Sequence, residues 1–90
     1  MLTPRFTGSF KKDKKLAQKR GKEMSKLREV TTMIINEQPL PPERKNHPLH
    51  GNHKGKWECH VEPDWVLVYK IEPENHKVVF HRTGSHSDLF

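Results

Sequence analysis

The sequence holds one cysteine, Cys59, one tyrosine and two tryptophans among its 90 residues. A lone cysteine excludes an intrachain disulfide, and with it the small secreted scaffold that bridges hold together in place of a core, so a reducing, cytoplasmic setting is expected. Long apolar runs are also missing. No stretch approaches the roughly 20 apolar residues that cross a bilayer, and Met1–Gly21 carries no run of signal-peptide length, so a soluble protein with no membrane partner is expected. Hydrophobic residues make up 31% of the chain and charged residues another 31%, which leaves room for a modest core and argues against full disorder. A chain this short predicts a single domain over 1–90.

Negative charge is in short supply. Seventeen Lys and Arg stand against 11 Asp and Glu, a formal net charge of +6, and the pI is about 9.7. Such a balance points to a polyanionic partner, whether nucleic acid, an anionic membrane surface or an acidic protein. Charge alone does not choose among these, and excess lysine also serves solubility.

Patterning predicts the elements. Leu2–Thr7 reads as an edge strand, where Pro4 is tolerated because it has no N–H to give to a ladder. Gly8–Gly21 is rich in helix formers, with Thr7 or Ser9 placed to cap its start and Gly21 to stop it. Phe10, Leu16 and Ala17 form a thin apolar stripe on this helix, and Lys11, Lys12, Lys14, Lys15, Lys19 and Arg20 cover most of the rest. Met24, Leu27, Val30, Met33 and Ile34 recur at steps of three and four, the spacing of one helical face, which predicts a second helix over about Glu23–Asn36. Pro39, Pro41 and Pro42 cannot continue it, and a loop rich in Asn, His and Gly runs to about His53. Lys56–Val61, Trp65–Ile71 and Lys77–Arg82 have strand character, and the short turns between them require antiparallel neighbours. The expected fold is α+β, two N-terminal helices packed on one face of an antiparallel sheet of about four strands.

Seven histidines is a high count for this length. His47, His50 and His53 stand at steps of three, a hint of zinc, but structural zinc sites pair His with Cys in a closed set of four and only one Cys exists. No metal or other cofactor is therefore expected. Scattered surface histidines are the plain reading. Acid–base work is the sharper one, because imidazole titrates near neutrality and a pair can take a proton from one oxygen and return one to another. RNA offers such a reaction: a base frees the 2′-hydroxyl to attack phosphorus, an acid protonates the departing 5′-oxygen, and cations steady the phosphoryl charge. His60 and Asp64 bracket one turn, Arg82 ends the last strand, His86 follows it, and Lys54 and Lys56 add charge. Trp57, Trp65 and Phe90 are candidate stacking platforms for unpaired bases, although a tryptophan in an apolar strand is more often core.

The run HPL at 47–49, Lys54-Gly55, HVEPDWVLVYK at 60–70 and RTGSHSDLF at 82–90 resembles the YafQ branch of the RelE-like toxins. The likeness extends upstream through KKDKKLAQKRGKEMSKL and INEQPLPP, covering nearly the whole chain. This resemblance implies a RelE-like fold and a ribosome-dependent mRNA endonuclease, held inactive by a cognate antitoxin of the DinJ/RelB kind. It implies no metal. Its functional positions fall on His47, His60, Asp64, Arg82, His86 and Phe90. On that basis His86 is expected as general acid, Asp64 with His60 or His47 as base, Arg82 and Lys54 as phosphate ligands, and Trp65 or Phe90 as base platform. The partners implied are mRNA on the 70S ribosome, with its ribosomal RNA, and the antitoxin. One segment departs from the pattern: relatives commonly read WKGYR where this chain has His53-Lys54-Gly55-Lys56-Trp57, and strand neighbours face opposite ways, so Lys56 does not simply replace an arginine at 57. Two other readings stand beside this one. A ParE-like toxin would bind a target such as gyrase without cutting RNA, and a basic RNA-binding module would bind in a salt-sensitive way without catalysis.

Overall fold

The computed structural model describes residues 1–90. Strand β1 (Thr3–Phe6) leads into helix α1 (Gly8–Lys19), and helix α2 (Met24–Ile35) follows after a tight turn. Strand β2 (His47–Pro48) comes next, then β3 (Trp57–Glu62), β4 (Trp65–Glu72), β5 (Lys77–Gly84) and a closing turn of helix, α3 (His86–Leu89). Thr7 caps α1 by accepting the Phe10 amide on its hydroxyl oxygen, and Gly21, at φ +78°, turns the chain out of the helix.

The sheet has five strands in the order β1-β5-β4-β3-β2. The α+β class and the two helices on one face match the reading of the sequence, with two refinements. The added strand is β2, only two residues long, which places His47 opposite Glu58. In addition β1 pairs with β5 in parallel, Thr3 beside Lys77 and Phe6 beside Phe80, so the sheet is mostly rather than wholly antiparallel.

One face of the sheet meets the helices. Cys59, Val61, Trp65, Leu67, Tyr69, Val78 and Phe80 pack against Phe10, Ala17, Leu27, Val30 and Ile34. Phe80 is central, with ring centroids 5.3 Å from Phe6 and 6.0 Å from Phe10. Full burial of a side chain of this size contributes about 1.5–3 kcal/mol. The opposite face carries Glu58 and His60 beside Val66 and Val68, because alternate residues of a strand point to opposite sides. A bulge in β5 sets Val68 opposite Arg82 but Tyr69 opposite Phe80, which leaves His81 as the extra residue.

Candidate functional site

Glu58 is the centre of the open face. Its side chain is only 3% exposed, and its Oε1 lies 3.2 Å from His47 Nε2, 3.0 Å from His86 Nε2 and 4.0 Å from His60 Nε2. An ionised carboxylate taken out of water costs several kcal/mol unless it is paired and hydrogen-bonded, so the imidazoles are what make this burial tolerable. Two of them reach hydrogen-bond distance, His47 from β2 and His86 at the start of α3, while β3 sets His60 two residues beyond Glu58 and farther from its oxygen.

Local chemistry fixes the approach of α3. Ser85 and Asp88 form a reciprocal capping box, and Arg20 of α1 donates to Asp88 Oδ2 at 2.9 Å. The Ser85 amide and the Arg20 guanidinium hold the Asp88 carboxyl below its ordinary pKa. Gly84 lets this turn close onto β5, since a Cβ there would lie 3.3 Å from the Asp88 side chain and 3.4 Å from Leu89.

The three histidines differ in what their second ring nitrogen meets. His60 Nδ1 is 3.2 Å from the Pro63 carbonyl oxygen, which can only accept, so Nδ1 carries the proton and Nε2 of the neutral ring is left as a lone pair directed into the cluster. His47 has the Pro48 carbonyl oxygen at 3.3 Å from Nδ1, so neither of its ring nitrogens is free for a ligand. His86 donates Nε2–H to Glu58, while its Nδ1 has no protein partner and its side chain is half exposed. The His60 and His86 rings are adjacent, 5.8 Å between centroids. The chain's His, Cys, Asp and Glu side chains form no group of three or more with metal-ligand geometry.

Beside the cluster is a cleft of about 260 Å³ lined by His53, Lys56, His81, Arg82, Leu89 and Phe90. Phe90 is 54% exposed, edge-on to His53 at 5.1 Å and tilted against His86 at 5.8 Å. Arg82 is held by Asp13 of α1, which accepts from Nε at 2.7 Å and from Nη2 at 3.1 Å, and this pairing raises its pKa above the ordinary guanidinium value. His81 has its pKa lowered, first by burial and then by Lys56 and Lys70.

Of the eight residues predicted from sequence, His47, His60, His86, Arg82 and Phe90 come together here. Three do not. Trp65 cannot be a base platform: it is 1% exposed, its Nε1–H donates to the Thr83 hydroxyl at 2.8 Å, and that hydroxyl donates to the Val66 carbonyl. The exposed Lys54 side chain makes no hydrogen bond or ion pair, whereas Lys56, in step with Glu58 and His60, lines the cleft. Asp64 is exposed in the β3–β4 turn and lines a separate polar pocket with Arg20, Lys22 and Ser85, away from the carboxylate that the histidines share. The residue missed from sequence is Glu58. The alternation of Lys56, Glu58 and His60 with Trp57, Cys59 and Val61 was the signal that would have found it.

A family model described as bacterial toxin of type II toxin-antitoxin system, YafQ, matches residues 2–90. The mRNA interferase toxin YafQ of Escherichia coli K12 is 49% identical over 86 residues, covering 94% of this chain and 91% of that protein. A crystal structure of the E. coli DinJ-YafQ complex superposes with a TM-score of 0.91 at 46% identity, covering 100% of this chain and 99% of the other. A metal-bound toxin from Helicobacter pylori gives a TM-score of 0.94 at 42% identity, each chain covered completely. With the whole of the described fold and nearly the whole sequence matched, this chain belongs to the YafQ family of bacterial toxins of type II toxin-antitoxin systems.

Proposed function

We propose that this toxin is an mRNA endoribonuclease that acts on the translating ribosome by metal-independent acid–base catalysis. The observation that carries the reading is the pair of adjacent imidazoles beside one buried carboxylate, one ring turned by the Pro63 carbonyl so that its Nε2 makes no hydrogen bond and the other held by Glu58 so that its Nδ1 is free. His60 Nε2 takes the proton of a 2′-hydroxyl, and that oxygen attacks the adjacent phosphorus. The P–O5′ bond breaks as His86 Nδ1–H gives its proton to the departing oxygen, leaving a 2′,3′-cyclic phosphate and a 5′-hydroxyl. Glu58 orients the His86 ring and balances its imidazolium form, while the share in the base that the sequence reading gave to Asp64 passes to His60 alone. His47 braces Glu58 from the other side. Arg82 and Lys56 steady the charge on the phosphoryl oxygens, and Phe90 stacks on an unpaired base.

An antitoxin of the DinJ/RelB kind neutralises the protein, and an acidic segment of it suits the +6 chain. The site of action is the cytoplasm, where ribosomes translate; no helix is long and apolar enough to cross a membrane. A toxin that only bound gyrase would have no use for a carboxylate buried under three histidines.

The test is primer extension on a reporter mRNA after induction of the wild-type protein or His86→Ala, repeated in vitro with EDTA and with or without ribosomes. Cleavage inside coding regions that needs ribosomes, survives EDTA and is lost in the variant is the expected result. Growth arrest without cleavage would overturn the reading, and cleavage abolished by EDTA would overturn its metal independence.

A further inference from the structure

We propose that Asp13, on α1 and outside the histidine cluster, is a positioning residue for Arg82, locking one edge of the guanidinium and leaving Nη1 for the scissile phosphate. This rests on the nuclease reading above. Asp13 Oδ2 accepts from Arg82 Nε at 2.7 Å and from the Thr83 amide at 3.2 Å, and Oδ1 accepts from Arg82 Nη2 at 3.1 Å. Nη1 makes no hydrogen bond within the protein, and the arginine side chain, 41% exposed, borders the cleft that holds Lys56 and Phe90. A two-pronged carboxylate contact selects one orientation of a long side chain that would otherwise sample many, so a phosphate meets a donor already in place.

Anchoring α1 to the sheet does not need this fork. The Thr7 hydroxyl already donates to the His81 carbonyl at 2.8 Å, and Phe10 and Ala17 are buried in the core. The Thr83 amide requires a single acceptor, which an asparagine side chain also supplies.

The experiment compares wild type, Asp13→Asn, Arg82→Lys and the double variant in single-turnover cleavage on programmed ribosomes, with ribosome binding measured in parallel. Asp13→Asn is expected to slow cleavage at saturating ribosomes by about ten- to a hundredfold while binding changes by less than about twofold. In the Arg82→Lys background the same substitution should cost less than about threefold, since the fork is already gone. Full-rate cleavage by Asp13→Asn, or an equal loss in both backgrounds, would overturn the proposal. Should Asp13→Asn not accumulate as folded protein, Arg82→Lys alone decides, and wild-type cleavage by it would overturn the proposal equally. The Arg82 Nε–H resonance provides a readout independent of activity: slow solvent exchange in wild type and fast exchange in Asp13→Asn are expected, and fast exchange in wild type would remove the fork itself. If wild type cleaves no RNA but shows the protected Nε–H, the nuclease reading fails and the fork survives as structure only, which overturns the positioning role separately.

Discussion

Glu58 Oε1 accepts from His86 Nε2 at 3.0 Å across 28 residues of chain. That contact couples the middle of β3 to the turn of helix that follows β5, and it decides which nitrogen of His86 faces solvent. Replacement Glu58→Gln keeps the shape of the side chain and removes its charge. Single-turnover cleavage is expected to fall by about a hundredfold or more, the usual scale of acid–base catalysis, with ribosome binding and the circular dichroism spectrum unchanged. Cleavage at the wild-type rate would show that the carboxylate is not required.

Trp65 and Phe90 should separate cleanly. Trp65→Ala empties a core position and removes the N–H that the Thr83 hydroxyl accepts, so thermal or urea unfolding should report a loss of about 3–5 kcal/mol. Phe90→Ala removes a half-exposed ring, so unfolding should barely change while affinity for single-stranded RNA falls by about 1–3 kcal/mol. The reverse pattern would mean that the core and the platform have been exchanged.

His81 makes stability depend on pH in a defined direction. Its folded-state pKa lies below the ordinary value of 6.5 because burial and the neighbouring lysines disfavour the imidazolium. The unfolded chain therefore binds the proton first, and stability present above about pH 6.5 declines as pH falls toward the folded-state value. His81→Gln should flatten the melting temperature between about pH 7 and 5, measured by scanning calorimetry at constant ionic strength. An unchanged slope would assign the dependence to other groups.

The Arg20–Asp88 pair holds the turn of helix that begins at His86 and is capped by Phe90. Arg20→Gln should speed amide exchange at Leu89 and Phe90 and leave the α2 amides protected. The effect should be largest at low salt, because both side chains reach solvent. Equal exchange in the two proteins would mean that the capping box alone fixes α3.

Much of this was readable beforehand because the signals are local. Helix periodicity, the Thr7 cap, the stop at Gly21 and the proline cluster all act within a few residues. His47, His60, Arg82, His86 and Phe90 were likewise found through short motifs. What escaped depends on register between distant segments. Strand β2 is two residues with a proline in one of them, and only its pairing with Trp57 and Glu58 makes it a strand. Glu58 drew no attention within the Lys56–Val61 strand, and its burial follows from His47 and His86, distant in sequence, both reaching its carboxylate. Trp65 stood as a candidate platform with core as the commoner fate of such a tryptophan, and what decides for core is an indole N–H that finds Thr83, 18 residues away.

The parallel pairing of β1 with β5 joins Thr3 to Lys77. During synthesis β1 emerges long before its partner exists, and the pairing can close only after β5 has left the exit tunnel. The same delay applies to the Asp13–Arg82 fork and to the Glu58–His86 contact. No nascent chain that ends before β5 can hold these contacts, so the pairing that gathers Arg82 and His86 beside Glu58 is made only after β5 and α3 have emerged.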